Sequence, residues 1–181
     1  MNDVLPSVKA ELFHSIIIPA TSVNDVYRWH RAPLMTVQNS APGSTGVCGK
    51  IATTAWAILL LLGLAGLFLA RGIIPFRITL VLIILSQMAL HILYGEETFL
   101  YALHFAPLLV VLAALATLTR LRVAALACAA VVAVSAGMNN LVQFKQDADR
   151  YDWCTRTFPM DTRNDAPDSA SKDLPAGPVG R

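Results

Sequence analysis

Charge is what the central part of this 181-residue sequence lacks. Between Ile51 and Leu141 the only Lys, Arg, Asp or Glu residues are Arg71, Arg77, Glu96, Glu97, Arg120 and Arg122. Over the whole chain 14% of residues are charged and 55% hydrophobic, against about 25% charged in an ordinary soluble domain. A soluble helix needs charge interleaved along its length to keep a wet face. Without it, lipid is the expected solvent. Cysteine is scarce as well: Cys48, Cys128 and Cys154 include no CxxC pair, so neither a metal knuckle nor a dithiol redox motif is indicated. Cys128 reads as a small inert hydrophobe, and Cys48 could meet Cys154 only if both flanks share an oxidising compartment. A net charge of +2, with basic residues set singly, argues against nucleic acid as a partner. No complete catalytic motif is present and no cofactor is expected. Met1 to Glu11 is polar, and the first apolar run, Ser15 to Ala20, is short and broken by Pro19, so no signal-peptide pattern opens the sequence. Insertion is then expected to be driven by the later helices, or by helices of a longer parent.

What is present is apolar length. Residues 51–70 form a 20-residue run without a charge, bracketed by Lys50 and Arg71. At about 1.5 Å per residue such a helix measures about 30 Å, the thickness of a hydrocarbon core. Gly63 and Gly66 within it permit a close helix neighbour. Further spans are expected at about 73–94, 98–119 and 123–141, so the fold class is all-α, an integral membrane bundle of about four transmembrane helices. Pro75 suits a first helical turn, and Arg77 can snorkel back to the headgroups. Pro107 should kink the third helix. In the fourth, Ala125, Ala129, Ala133 and Gly137 recur at four-residue spacing, as either a packing stripe or a by-product of alanine richness. The domain reading is an extramembrane segment over 1–49, the transmembrane region over 50–144, and a polar, largely disordered tail over 145–181. Within that tail Phe144 to Trp153 can continue the fourth helix, and four prolines follow Phe158.

Orientation follows from the short connections. Arg71 and Arg77 mark one hairpin and Arg120 and Arg122 another, while the turn between them carries Glu96 and Glu97 and no basic residue. The arginine hairpins are therefore expected in the cytoplasm and the acidic turn outside, together with both flanks. Export of an N-terminal flank containing Lys9, Arg28, Arg31 and Lys50 without a signal sequence is awkward. An upstream membrane half, an earlier start or an inverted topology would each resolve it.

Polar side chains gather at the acidic turn. Glu97, Tyr101 and His104 are spaced i, i+4, i+7 and share a helix face. His91 and Tyr94 end the preceding helix, Glu96 sits in the turn, and Asn139, Asn140 and Gln143 are expected at the same surface from the fourth helix. His91, Glu96, Glu97, Tyr101, His104, Asn139 and Asn140 are thus the candidates for contact with a polar ligand. A carboxylate and two imidazoles so placed can bind a divalent metal, relay a proton or hold a polar headgroup. The same residues equally suit a helix dipole, an aromatic belt and interhelical hydrogen bonds. In the N-terminal flank, Tyr27 to Arg31 mixes rings and arginines, which fits either a membrane surface or an ordinary loop.

The stretch HILYGEETFLYALHFAPLL, followed by a helix ending in MNNLVQF, resembles the C-terminal membrane region of bacterial polytopic proteins related to the GT-C glycosyltransferases. The resemblance covers roughly residues 88 to 144, about a third of the chain. It implies a multi-pass protein of the bacterial inner (plasma) membrane, the lipid bilayer and other membrane helices as partners, and contact with a polyprenyl-phosphate lipid. That family's catalytic acids lie in an early external loop with no counterpart here, so no catalytic residue is carried over. The resemblance also implies a flank already delivered outside by upstream helices. Two other classes fit the composition: a small transporter-like subunit, for which Ser86, Gln87 and Ser135 are the polar candidates, and an assembly subunit of a membrane complex.

Overall fold

The computed structural model describes residues 8–24, 34–37, 40–70, 72, 74–94 and 98–157; side chains of 10, 23–24, 34–36, 91–94, 98–103, 154–155 and 157 are outside that description. It is a helical fold: α1 is Val47–Leu69, α2 Ile74–Tyr94, α3 Thr98–Ala114 and α4 Arg122–Thr157. A 3-10 turn, Leu115–Leu118, prolongs α3, and a π-helical turn, Ala10–His14, lies in the N-terminal flank. The flank also holds one element absent from the all-α expectation. Strands β1, Ser22–Asn24, and β2, Leu34–Thr36, pair antiparallel with Val23 opposite Met35.

The helices alternate in direction. At one end Gly49 of α1 lies so near α4 that a Cβ there would be 2.9 Å from Asn139 Oδ1. At the other end Leu67, Leu80 and Leu115 of α1, α2 and the 3-10 turn form one buried cluster. α1 and α3 therefore run the same way, and α2 and α4 return. The α1–α3 interface is backbone on backbone. A Cβ on Gly63 would lie 2.5 Å from the Leu112 carbonyl oxygen, and one on Gly66 would lie 2.7 Å from the Ala116 amide nitrogen. Both glycines named by the sequence thus serve a close helix neighbour. α3 passes through Pro107 without a break in the helix, with the ring on its exposed side. Trp56, Leu59, Phe105, Leu109 and Ala113 form the centre of the core, and Ile17 of the flank joins them.

Two helices are long and apolar enough to cross a membrane: Val47–Leu69, and α4 over Arg122–Trp153. Only 39% and 28% of their apolar windows are buried, whereas the core helix of a soluble protein would be mostly covered. Two shorter apolar stretches, Ile74–Leu90 and His104–Leu118, accompany them. Leu80 is the one buried side chain among the described residues of α2, which exposes Ile74, Ile78, Leu82 and Leu85. α4, at 36 residues, is about 54 Å long. It continues as helix through 145–157, where a polar tail was expected to begin, so the extension foreseen at Phe144 to Trp153 is present. Residues 158–181 and Tyr27 to Arg31 lie outside the described residues.

The small residues of α4 do not share one face. Ala125 is buried and Ala129 packs against the core, but Ala133 is exposed and Gly137 has open space around it. Four residues turn a helix by about 400°, so a strict four-residue series drifts off any straight seam. The buried face follows the true period instead, through Ala125, Val132, Ala136, Asn139 and Gln143.

Candidate functional site

The polar end of α4 is occupied by the chain's own N-terminal flank. Asn140 accepts a hydrogen bond from the Ile18 amide at 2.9 Å and donates from Nδ2 to the Ile16 carbonyl at 2.9 Å. One side chain thereby supplies the donor and acceptor that a residue of a neighbouring parallel strand would present to residues 16–18. Asn139 donates to the Ile18 carbonyl at 2.9 Å and accepts from the Thr45 hydroxyl. Arg150 donates to the Thr21 carbonyl at 2.6 Å, and Trp56 Nε1 to the Leu12 carbonyl at 2.8 Å. The physical cause is local. Pro19 prevents residues 15–21 from closing into a helix, and irregular backbone that is buried must find partners elsewhere. Asn139, Gln143, Gln146 and Arg150, spaced i, i+4, i+7, i+11, mark that face in the sequence.

The flank brings two ionisable groups inside. Glu11 and His14 of the π-helical turn are buried, at 0% and 7% exposure, where that turn packs against α3. Burial raises the Glu11 carboxyl to a pKa of about 7. Burial first, and the Lys9 charge second, lower the His14 imidazole to about 4, with the Ser40 main chain opposing in part. Neither ring nitrogen of His14 has a hydrogen-bond partner of normal geometry. Sequence reading missed both residues, because a lone carboxylate and imidazole in a polar-looking flank carry no periodic signal.

These shifts fix a pH dependence with opposed signs. Glu11 is folded with a raised pKa, so its contribution is full below about 4.5 and is lost as pH rises through 7. His14 is folded with a lowered pKa, so its contribution is full above about 6.5 and is lost as pH falls through 4. Between about 4.5 and 6.5 the two slopes cancel, and stability of the docked flank is expected to be flat. In Glu11→Gln only the His14 slope remains, so stability should climb with pH over that interval by up to about 1.4 kcal/mol per unit. Amide exchange of residues 12–18 measured from pH 4 to 8 checks this; parallel profiles in wild type and variant would contradict it.

Of the remaining sequence-derived candidates, His104 is exposed on α3. The side chains of His91 and Tyr101, and residues Glu96 and Glu97, lie outside the described residues, so α3 reaches the flank at a surface whose other polar groups are undescribed. Cys48 and Cys128 are free thiols, and the side chain of Cys154 lies outside the described residues. The hydroxyls of Ser86 and Ser135 turn back on their own helices: Ser86 donates to the Ile83 carbonyl at 2.9 Å and Ser135 to the Val131 carbonyl at 2.6 Å. Among the described residues no group of three His, Cys, Asp or Glu side chains is placed to hold a metal ion. What the arrangement does chemically is recognise main-chain amides. The sequence matches no protein-family model, no curated protein and no solved structure.

Proposed function

We propose that this chain is a four-span protein of the bacterial inner membrane, a scaffold element of a GT-C-like glycosyltransferase-related assembly that works on a polyprenyl-phosphate lipid. The observation that carries the membrane part is the exposure of large apolar side chains along α1, α2 and α4, which in water would be a large aggregation-prone surface. In lipid it costs nothing. α2 at 21 residues, and α3 with its 3-10 turn, are each close to the ~30 Å that a span requires.

The scaffold part is supported by the use made of the polar residues. Asn139, Asn140 and Arg150 hold the chain's own backbone, and the described hydroxyls of α2 and α4 are back-bonded. The reacting groups would belong to other elements of the assembly, as the resemblance over residues 88 to 144 implies. The docked flank lies at the end where α3 begins, the side on which that resemblance puts an external surface.

Single cysteines in a cysteine-free background test the four spans. An impermeant maleimide applied to intact spheroplasts should label Ala41→Cys and Gly95→Cys, and should reach Val123→Cys only after lysis. Were Gly95→Cys to label with Val123→Cys, α2 and α3 would not span. A photoreactive polyprenyl phosphate should label the chain in membranes, and its failure to do so would remove the glycosyltransferase part alone.

A further inference from the structure

A groove of about 470 Å³ runs between α1 and α4, from Lys50 past Thr54 to Ile58 on one wall and along Ala127, Cys128 and Val131 on the other. Ile51 and Ala55 complete the lining, and the small Ala55, Ala127 and Cys128 leave space between the larger Ile51, Ile58 and Val131. Thr54 donates its hydroxyl to the Lys50 carbonyl at 2.9 Å, so the wall it contributes is effectively apolar. Lys50 is exposed at the mouth and has no ion-pair partner among the described residues. No acidic residue lines the groove.

We propose that this groove is a binding site for one anionic phospholipid of the surrounding bilayer, its phosphate on Lys50 and one acyl chain lying between α1 and α4. Three features select that occupant. Lys50 stands at the boundary of the apolar run, which is headgroup level. The groove descends eight residues along α1, about 12 Å, close to one leaflet's share of a ~30 Å core. A free cation over an apolar slot complements a phosphate attached to a hydrocarbon chain, whereas a partner helix would bury that ammonium unpaired. The inference rests on the membrane reading and not on the glycosyltransferase resemblance.

The test is retention of phosphatidylglycerol and of phosphatidylcholine with identical chains by the purified full-length protein in detergent, followed by native mass spectrometry. Wild type should retain phosphatidylglycerol about five-fold better, the factor one surface lysine contributes toward an anionic headgroup. Lys50→Gln should abolish the preference and Lys50→Arg should keep it. Ala127→Phe, which fills the groove from its exposed wall, should lose both lipids. Both altered positions are exposed, so the bundle should stay folded, as its unfolding midpoint will report. Equal retention by wild type, a preference that survives Lys50→Gln, or retention that survives Ala127→Phe would each overturn the site. So would displacement of phosphatidylglycerol by equimolar polyprenyl phosphate, which would assign the groove to that lipid. Extraction of the chain from membranes by alkaline carbonate would fail the membrane reading itself, whereas a carbonate-resistant chain without lipid preference fails only this inference.

Discussion

Gly63→Ala is expected to break the α1–α3 interface and lower the stability of the bundle by about 3 kcal/mol, the upper end of ordinary overpacking costs. The added Cβ would lie 2.5 Å from the Leu112 carbonyl oxygen and 2.7 Å from the Ala113 Cα. Both obstacles are main chain, so no rotamer change relieves them and the helices must separate. On the proposed membrane reading, separation forfeits the packing on which helix association in lipid depends, since burial of apolar surface supplies little there. The sign is notable, because the same exchange in an unobstructed helix stabilises by roughly 0.5–1 kcal/mol. Gly137, with nothing within 4 Å of its hypothetical Cβ, is the matched control, and Gly137→Ala should gain that amount. Unfolding midpoints of the full chain in bicelles read the difference. Equal midpoints for the two variants would mean that α1 and α3 do not approach as closely as described.

The elements legible in the sequence were those set by solvent. Residues 51–70 carry no charge, and α1 occupies that run from Val47–Leu69. Gly63 and Gly66 were legible for a related reason, since two glycines in an apolar span have few uses apart from close packing. The seam of α4 was not legible from its small residues, because spacing by four diverges from a period of 3.6 within three steps. Ala125 is inside and Gly137 outside for that reason alone.

The candidate site was legible by residue type and not by role. Asn139 and Asn140 stood out as polar groups at the end of an apolar helix, while the acidic turn they were expected to meet lies outside the described residues. Their partner is the chain itself, which hydropathy cannot show: the apolar residues of 8–21 are interrupted by Pro19, and the backbone there is too irregular to give a period. The partner could have been sought by asking where the main-chain groups around Pro19 find hydrogen bonds. Glu11 and His14 follow from that docking, since they are buried only because the segment carrying them is.

Asn140→Leu should release the N-terminal flank from the bundle while leaving α1 to α4 assembled. Leucine has nearly the shape of asparagine but can neither accept from the Ile18 amide nor donate to the Ile16 carbonyl. Each main-chain group left without a partner in a dry site costs roughly 1–3 kcal/mol, and partial access of water at residue 140 lowers that, so about 3 kcal/mol is expected for the pair. Loss of that amount should raise the amide exchange of Ile18 by about two decades and expose the chain to trypsin after Lys9, with helix content retained. The substitution also separates two causes of docking. Ile17 is 2% exposed and packs with Leu12 and Phe13 against the core, so apolar burial is a rival explanation for why the flank stays down. If burial held it, a leucine at position 140 would add apolar contact and tighten the flank. If the amide ladder holds it, the same leucine loosens it, and the opposite signs leave no intermediate result that serves both.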